Sequence, residues 1–160
     1  MAKKKILFVC TGNSCRSVMA EALLRQAMEK RGRKDIQIMS AGTETLPGMG
    51  PTMETVQAMW PEGLDVSGHL SQQLTPDLVR HADAVFCMAE HHKEMILVNV
   101  PESESKVFLL KTFESKITGD PDIPDPIGQP MTVYQHCAMV IKEAVKRVAD
   151  WIERPEKPAS

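Results

Sequence analysis

Ile6-Leu7-Phe8-Val9-Cys10-Thr11-Gly12-Asn13-Ser14-Cys15-Arg16-Ser17 passes from an unbroken apolar run, through a short polar loop, into the start of a helical pattern. The run Ile6 to Val9 has no polar alternation, which is how a strand buried on both faces reads. Met19, Ala20, Leu23, Leu24, Ala27 and Met28 then recur at helical spacing. Ser17 to about Arg31 is therefore an amphipathic helix, stopped by Gly32.

Working outward, the same alternation of element types continues. Ile36 to Ser40 is a short strand, and Ala41-Gly42 opens a loop rich in Gly, Pro and Thr. Pro51 suits a first helical turn, with Met53, Val56 and Trp60 as an apolar face and Pro61-Glu62-Gly63 as the stop. Residues 64 to 74 read as loop. Thr75-Pro76-Asp77 is a helix start. Ala84 to Met88 is a third buried strand, a polar helix covers about Glu90 to Val98, and Lys106 to Leu110 is the fourth strand. Residues 111 to 130 form a long loop rich in Pro and Asp, a length that inside a compact domain marks function. The last helix, about Met131 to Trp151, aligns Val133, Cys137, Val140, Ile141, Ala144, Val148 and Ile152. The expected architecture is α/β: a three-layer sandwich with a four-stranded parallel sheet flanked by helices on both faces. Residues 1–152 form one domain, and 153–160 a disordered tail.

The loop after the first strand carries the chemistry. Successive backbone N–H groups of a tight strand-to-helix loop can converge on one anion, and the helix N-terminus adds positive potential that stabilises a thiolate. Cys10 is the candidate nucleophile, and Arg16 can grip two oxygens with its planar fork. Thr11, Gly12, Asn13, Ser14, Cys15, Arg16 and Ser17 make up the phosphate cradle. Gly12 and Asn13 are the residue types that accept the positive φ such a loop needs. In open parallel sheets ligands bind at the carboxyl ends of strands, where this loop lies.

Composition sets the frame. The chain has 160 residues, 42% apolar and 25% charged, with net charge −2 and pI about 6.2. Nothing in that balance points to nucleic acid or an anionic membrane as partner, and Lys3-Lys4-Lys5 reads as a solvated strand start. No run reaches the ~18 apolar residues of a membrane span, and the first apolar run is too short for a signal peptide. A cytoplasmic monomer is expected. The four cysteines, at 10, 15, 87 and 137, are too sparse for a disulfide framework and form no CxxC pair. Cys87 and Cys137 read as small core residues, whereas Cys15 could capture an oxidised Cys10. His81, His91, His92 and His136 read as exposed helix residues, with adjacent His91 and His92 pointing ~100° apart and unable to chelate one ion well. No metal and no cofactor are implied. The 11 methionines read as core-facing.

A thiolate attacking phosphorus expels a poor leaving group and needs a general acid. Pro121-Asp122-Ile123-Pro124-Asp125-Pro126-Ile127-Gly128 offers Asp125, held between two prolines. Asp120 and Asp122 are close competitors, and all three also suit simple turns.

Cys10 to Ser17, Met19-Ala20-Glu21, Ser40-Ala41-Gly42, His69 and Asp125-Pro126 together resemble the low-molecular-weight protein phosphatases, in the same order over nearly the whole chain. The resemblance implies Cys10 as nucleophile, Arg16 as phosphoryl ligand and Asp125 as acid, then base. It implies that Ser17 donates to the thiolate and that Asn13, Ser17, Ser40 and His69 brace the loop. The substrate is then a phosphorylated protein. Tyrosine-directed members are similar to one another in a large aliphatic residue where this chain has Ser14. They also share an aromatic where it has Ile127, and a tryptophan in the loop corresponding to Thr43-Glu44-Thr45-Leu46-Pro47. The hydroxyl of Ser14 is similar instead to the threonine of protein-arginine phosphatases, and His69 to Thr75 with His91-His92-Lys93 also resembles that branch. Phosphoarginine is favoured, with phosphotyrosine close behind. Arsenate reductases can carry the same loop, but their relay cysteines are matched here only by a displaced Cys87, with Ala89 at the first relay position. A non-catalytic phosphate-binding module would ordinarily have lost one of Cys10, Arg16 and Asp125.

Overall fold

The computed structural model describes residues 3–155. Four parallel strands, β1 (Lys5–Cys10), β2 (Gln37–Gly42), β3 (Ala84–Cys87) and β4 (Val107–Leu109), lie in the order β2-β1-β3-β4. The helices are α1 (Arg16–Lys30), α2 (Met53–Met59), α3 (Pro76–His81), α4 (Glu90–Asn99) and α5 (Met131–Glu153), with 3-10 turns at Trp60–Glu62 and Pro101–Lys106. The sheet has apolar cores on both faces. Ile6, Phe8 and Cys10 point into the core shared with α1, α2 and α5, while Leu7 and Val9 point into the smaller core under α3 and α4. That division is the period-2 alternation of a strand covered on both sides.

The chain runs from β1 to the edge strand β2 and then crosses back to β3 on the other side of β1. Neighbouring connections diverge at the carboxyl end of β1, which makes it the switch point where doubly wound sheets bind ligands. Cys10 is the last residue of that strand. Among the described residues no helix is long and apolar enough to cross a membrane.

Several sequence expectations are corrected. Ala41 and Gly42 do not open a loop. They complete β2, paired with Val9 and Cys10, because Gly42 also bridges to Gln73 and is held from both sides. In α2 the buried face is Thr55, Ala58 and Met59. Met53 and Trp60 are exposed, since the helix enters from its Thr52 cap with Thr55, not Met53, turned to the core. Met49, Met95 and Met139 are exposed as well, so the methionines are not uniformly core-facing. Helix α5 continues through Glu153, and Arg154 pairs with Glu114, so these two residues are not part of a disordered tail. Residues 156–160 lie outside the described residues.

Candidate active site

The loop after β1 is shaped by β2. Thr43 N–H donates to Cys10 O and Glu44 N–H to Thr11 O, each at 2.9 Å. Gly42 allows this approach: a Cβ there would run into Thr11 O, Asn13 N and the Thr45 methyl. Asn13, and not Gly12, takes the positive φ, at 52°. Asparagine tolerates that region because its short polar side chain can bond locally. Among the described residues the backbone N–H groups of Thr11 to Cys15 donate to no protein acceptor. A run of unspent amides beside the first turn of α1 is a concave anion site.

Asn13 is fully buried, and the hydrogen-bonding capacity of its side-chain amide is fully used. Its Nδ2 donates to Ser17 Oγ at 2.8 Å and to Ser40 Oγ at 2.9 Å. Its Oδ1 accepts from Gln72 N–H at 3.0 Å and faces His69 Nε2 at 3.2 Å. With the amide oriented by its two hydroxyl acceptors, Oδ1 can only accept, so His69 carries its proton on Nε2. Ser40 Oγ in turn donates to Glu21 Oε1 at 3.0 Å. Ser17 Oγ lies 2.9 Å from Cys10 Sγ. The structure thus brings Asn13, Ser17, Ser40 and His69 into one buried network touching the sulfur.

Arg16 is 3% exposed. One of its terminal nitrogens donates to Ile123 O at 2.7 Å, and the other lies 3.7 Å from Asp125 Oδ2. The second carboxylate oxygen accepts from Ile127 N–H at 3.1 Å. Asp125 is the half-exposed member of the pair, its side chain 43% accessible. The competing aspartates are occupied otherwise: Asp120 Oδ1 accepts from Asp122 N–H, and Asp122 Oδ1 from Glu90 N–H. A buried guanidinium, a thiol with a hydroxyl on it and a solvent-facing carboxylate at one loop can hold an anion, attack it and protonate what departs.

Ser14 is half-buried, and among the described residues its hydroxyl has a hydrogen-bond contact only with Cys15 Sγ, at 3.7 Å. Its carbonyl accepts from Thr52 N–H, which ties the loop to α2. Cys15 is buried with its thiol 3.9 Å from Tyr134 Oη and 3.5 Å from Thr52 Oγ1. In the segments that follow β2 and Asp125, residues 43–50 and 125–130, there is no aromatic residue, and Leu46, Met49 and Ile127 are exposed. Tyr134 lies buried beneath the loop. Cys87 is buried in the core on the opposite face of the sheet from Cys10, its thiol pushed up to about 12 by burial. It is therefore no thiol relay for Cys10. Cys137 is also a core thiol, raised to about 12 by burial.

His92 is the principal residue the sequence reading misplaced. It is fully buried. Its Nδ1 accepts from Ala89 N–H at 3.1 Å, so Nε2 bears the proton and donates to Thr11 Oγ1 at 2.9 Å. Burial, reinforced by His91 and Arg16, pushes its ring down to about 3, and the imidazole is neutral. The available signal was positional: Ala89 and His92 stand at the N-cap and third residue of α4, the spacing at which a side chain returns to the cap amide. Glu21 and Gln72 were likewise not singled out as loop supports.

The family model described as low molecular weight phosphotyrosine protein phosphatase matches residues 5–157. The chain is 35% identical over 149 residues to a protein-arginine-phosphatase of Geobacillus stearothermophilus, covering 93% of this chain and 96% of the relative. It is 36% identical over 151 residues to a probable low molecular weight protein-tyrosine-phosphatase, EpsP, of Ralstonia solanacearum, covering 94% and 95%. Among solved structures it superposes with a TM-score of 0.86 on the YwlE arginine phosphatase, a mutant with a phosphorylated active site serine. That match is 32% identical and covers 94% of this chain and 96% of the other.

Proposed function

The chain belongs to the low molecular weight phosphotyrosine protein phosphatase family, and on that basis we propose that it removes phosphoryl groups from arginine side chains of proteins, with Cys10 as nucleophile. Its similarity to arginine- and tyrosine-directed relatives is nearly equal, at 35% and 36% identity, so the choice between them rests on the site. The observation that carries it is Ser14, whose hydroxyl among the described residues meets only the Cys15 thiol, in a cradle whose flanking segments 43–50 and 125–130 lack aromatic residues. A bulky aliphatic residue there would favour a flat aryl ring. A hydroxyl can instead hydrogen-bond a guanidinium nitrogen or the attacking water, and flanking segments without an aromatic residue give little stacking surface for a phenol ring.

The reaction has two steps. The Cys10 sulfur, as thiolate, forms a bond to phosphorus in line with the scissile P–N bond, while loop amides and Arg16 neutralise the equatorial oxygens. Asp125, protonated, gives its proton to the departing guanidino nitrogen as that bond breaks. Water then adds to the phosphocysteine. Asp125 takes its proton, the S–P bond breaks, and inorganic phosphate leaves with the thiolate regenerated. A phosphotyrosine would follow the same path with oxygen as the leaving atom. The positive charge comes from the loop itself. Sparse unpaired thiols suit a reducing compartment, and we place the enzyme in the cytoplasm as a monomer.

Rates on matched phosphoarginine and phosphotyrosine peptides test the substrate. The wild type should prefer phosphoarginine, and Ser14→Ile should shift the kcat/KM ratio at least tenfold towards phosphotyrosine. An unchanged ratio would remove Ser14 as the determinant.

A further inference from the structure

The turn joining β3 to α4, residues 88–89, and the first turn of α4, residues 90–92, together touch both halves of the site. Met88 N–H donates to Val9 O at 3.0 Å, one residue before Cys10, and Met88 O accepts from Ile123 N–H at 2.8 Å. Ile123 O then accepts from Arg16. On one flank of the turn His92 reaches Thr11 of the cradle. On the other, the first amide of α4, Glu90 N–H, donates to Asp122 Oδ1 at 2.8 Å. Met88, Ala89 and His92 are buried, so the turn has no freedom of its own. This turn thus ties the segment bearing Cys10 to the segment bearing Asp125.

The acid segment has few other anchors. Between Asp122 and Asp125 stand Ile123, fully buried, and Pro124, whose ring fixes φ. Asp120 accepts from the Asp122 amide and so holds the approach to that anchor. Asp125 itself is exposed, its carboxylate limited among the described residues only by Ile127 N–H and the distant edge of Arg16. Asp125 is therefore placed by its neighbours, with Asp122 and buried Ile123 upstream and buried Pro126 downstream. A negative carboxylate is also the favourable partner for the α4 N-terminus.

We propose that Asp122 is a positioning residue for the general acid: by clasping the first amide of α4 it sets the reach of Asp125 over the phosphoryl group held at Cys10. This rests on the reading of Cys10 and Asp125 as nucleophile and acid. An Å-scale displacement of a catalytic group costs up to about 100-fold in rate. The loss falls where protonation of the leaving group matters.

The test is a leaving-group series. Aryl phosphates spanning acidic to weakly acidic phenols are turned over by wild type, Asp122→Ala, Asp122→Asn and Asp125→Asn. The expectation for Asp122→Ala is that the rate ratio between the best and worst leaving groups rises about tenfold, through kcat with KM little changed. Asp122→Asn keeps an acceptor oxygen and should return most of the wild-type ratio. Equal losses on every substrate, or no change, would overturn the proposal. Asp125→Asn separates the two levels. If it steepens the series and Asp122→Ala does not, the clasp fails alone; if Asp125→Asn leaves the series flat, the acid assignment fails and the clasp with it.

Discussion

Ser17 Oγ stands 2.9 Å from Cys10 Sγ with one of its lone pairs already taken by the Asn13 amide. A hydroxyl that accepts from Asn13 has its proton free, and the sulfur is the acceptor in reach. The support network thus ends on the Cys10 sulfur, which is buried, and presents a donor to it. Hydrogen bonds to charged groups contribute about 1.5–3 kcal/mol. Ser17→Ala should therefore lower kcat by about 10- to 100-fold with the fold intact. Steady-state rates beside a thermal melt check this. A variant within twofold of wild type would mean that the contact does not serve the chemistry.

Gly42 marks where β2 and the nucleophile loop press together. A methyl group there meets Thr11 O and Asn13 N, both backbone, which cannot swing aside. Gly42→Ala should destabilise the protein by about 2 kcal/mol through overpacking and distort the cradle, so that activity falls further than stability. Denaturant unfolding and phosphate release on the same preparation read both effects. Wild-type stability would show that the loop can retreat.

Arg16 is bound on two sides, by Ile123 O at 2.7 Å and, at longer range, by Asp125. Lysine has one charged nitrogen and cannot hold the carbonyl and two phosphoryl oxygens together. Arg16→Lys should lose about 100-fold or more in kcat/KM, and isothermal titration with inorganic phosphate should show weakened binding.

His92 gives a pH dependence with a definite sign. Its folded-state value, pushed down to about 3 by burial first and then by His91 and Arg16, lies below the ordinary histidine value near 6.5. Between those values the unfolded chain takes a proton that the folded chain refuses. Stability from this site is therefore complete above pH 6.5 and falls as pH drops towards 3. Between pH 7 and pH 5 the loss should be about 1–2 kcal/mol. His92→Gln, which cannot take up the proton, should show a correspondingly smaller change between those two pH values in urea unfolding. Identical changes in both proteins would contradict the burial argument.

The parallel sheet, the loop after β1 and the order of elements were legible because they rest on local patterns: apolar runs, helical spacing, and a Gly-Asn step between a strand and a helix. The roles of neighbouring aspartates were not separable by residue type. Asp120, Asp122 and Asp125 have the same chemistry and the same turn preference, and only the direction of Glu90 N–H and Arg16 distinguishes them. His92 was misread as exposed because a polar residue in a polar helix carries no periodic signal. Its burial comes from a contact with Thr11, 81 positions away. Trp60 was misread in the opposite sense, since an aromatic residue at helical spacing suggests a core face, yet α2 turns Thr55, Ala58 and Met59 inward.

The central claim is that a phosphoryl group passes through Cys10. A single-turnover reaction of wild-type enzyme with a phosphoarginine peptide, quenched within one turnover and mapped by mass spectrometry, tests it directly. The account predicts a phosphorylated peptide carrying Cys10, transient in the wild type and longer-lived in Asp125→Asn. Turnover at full rate with the phosphoryl group never found on Cys10, or turnover retained by Cys10→Ser, would contradict it.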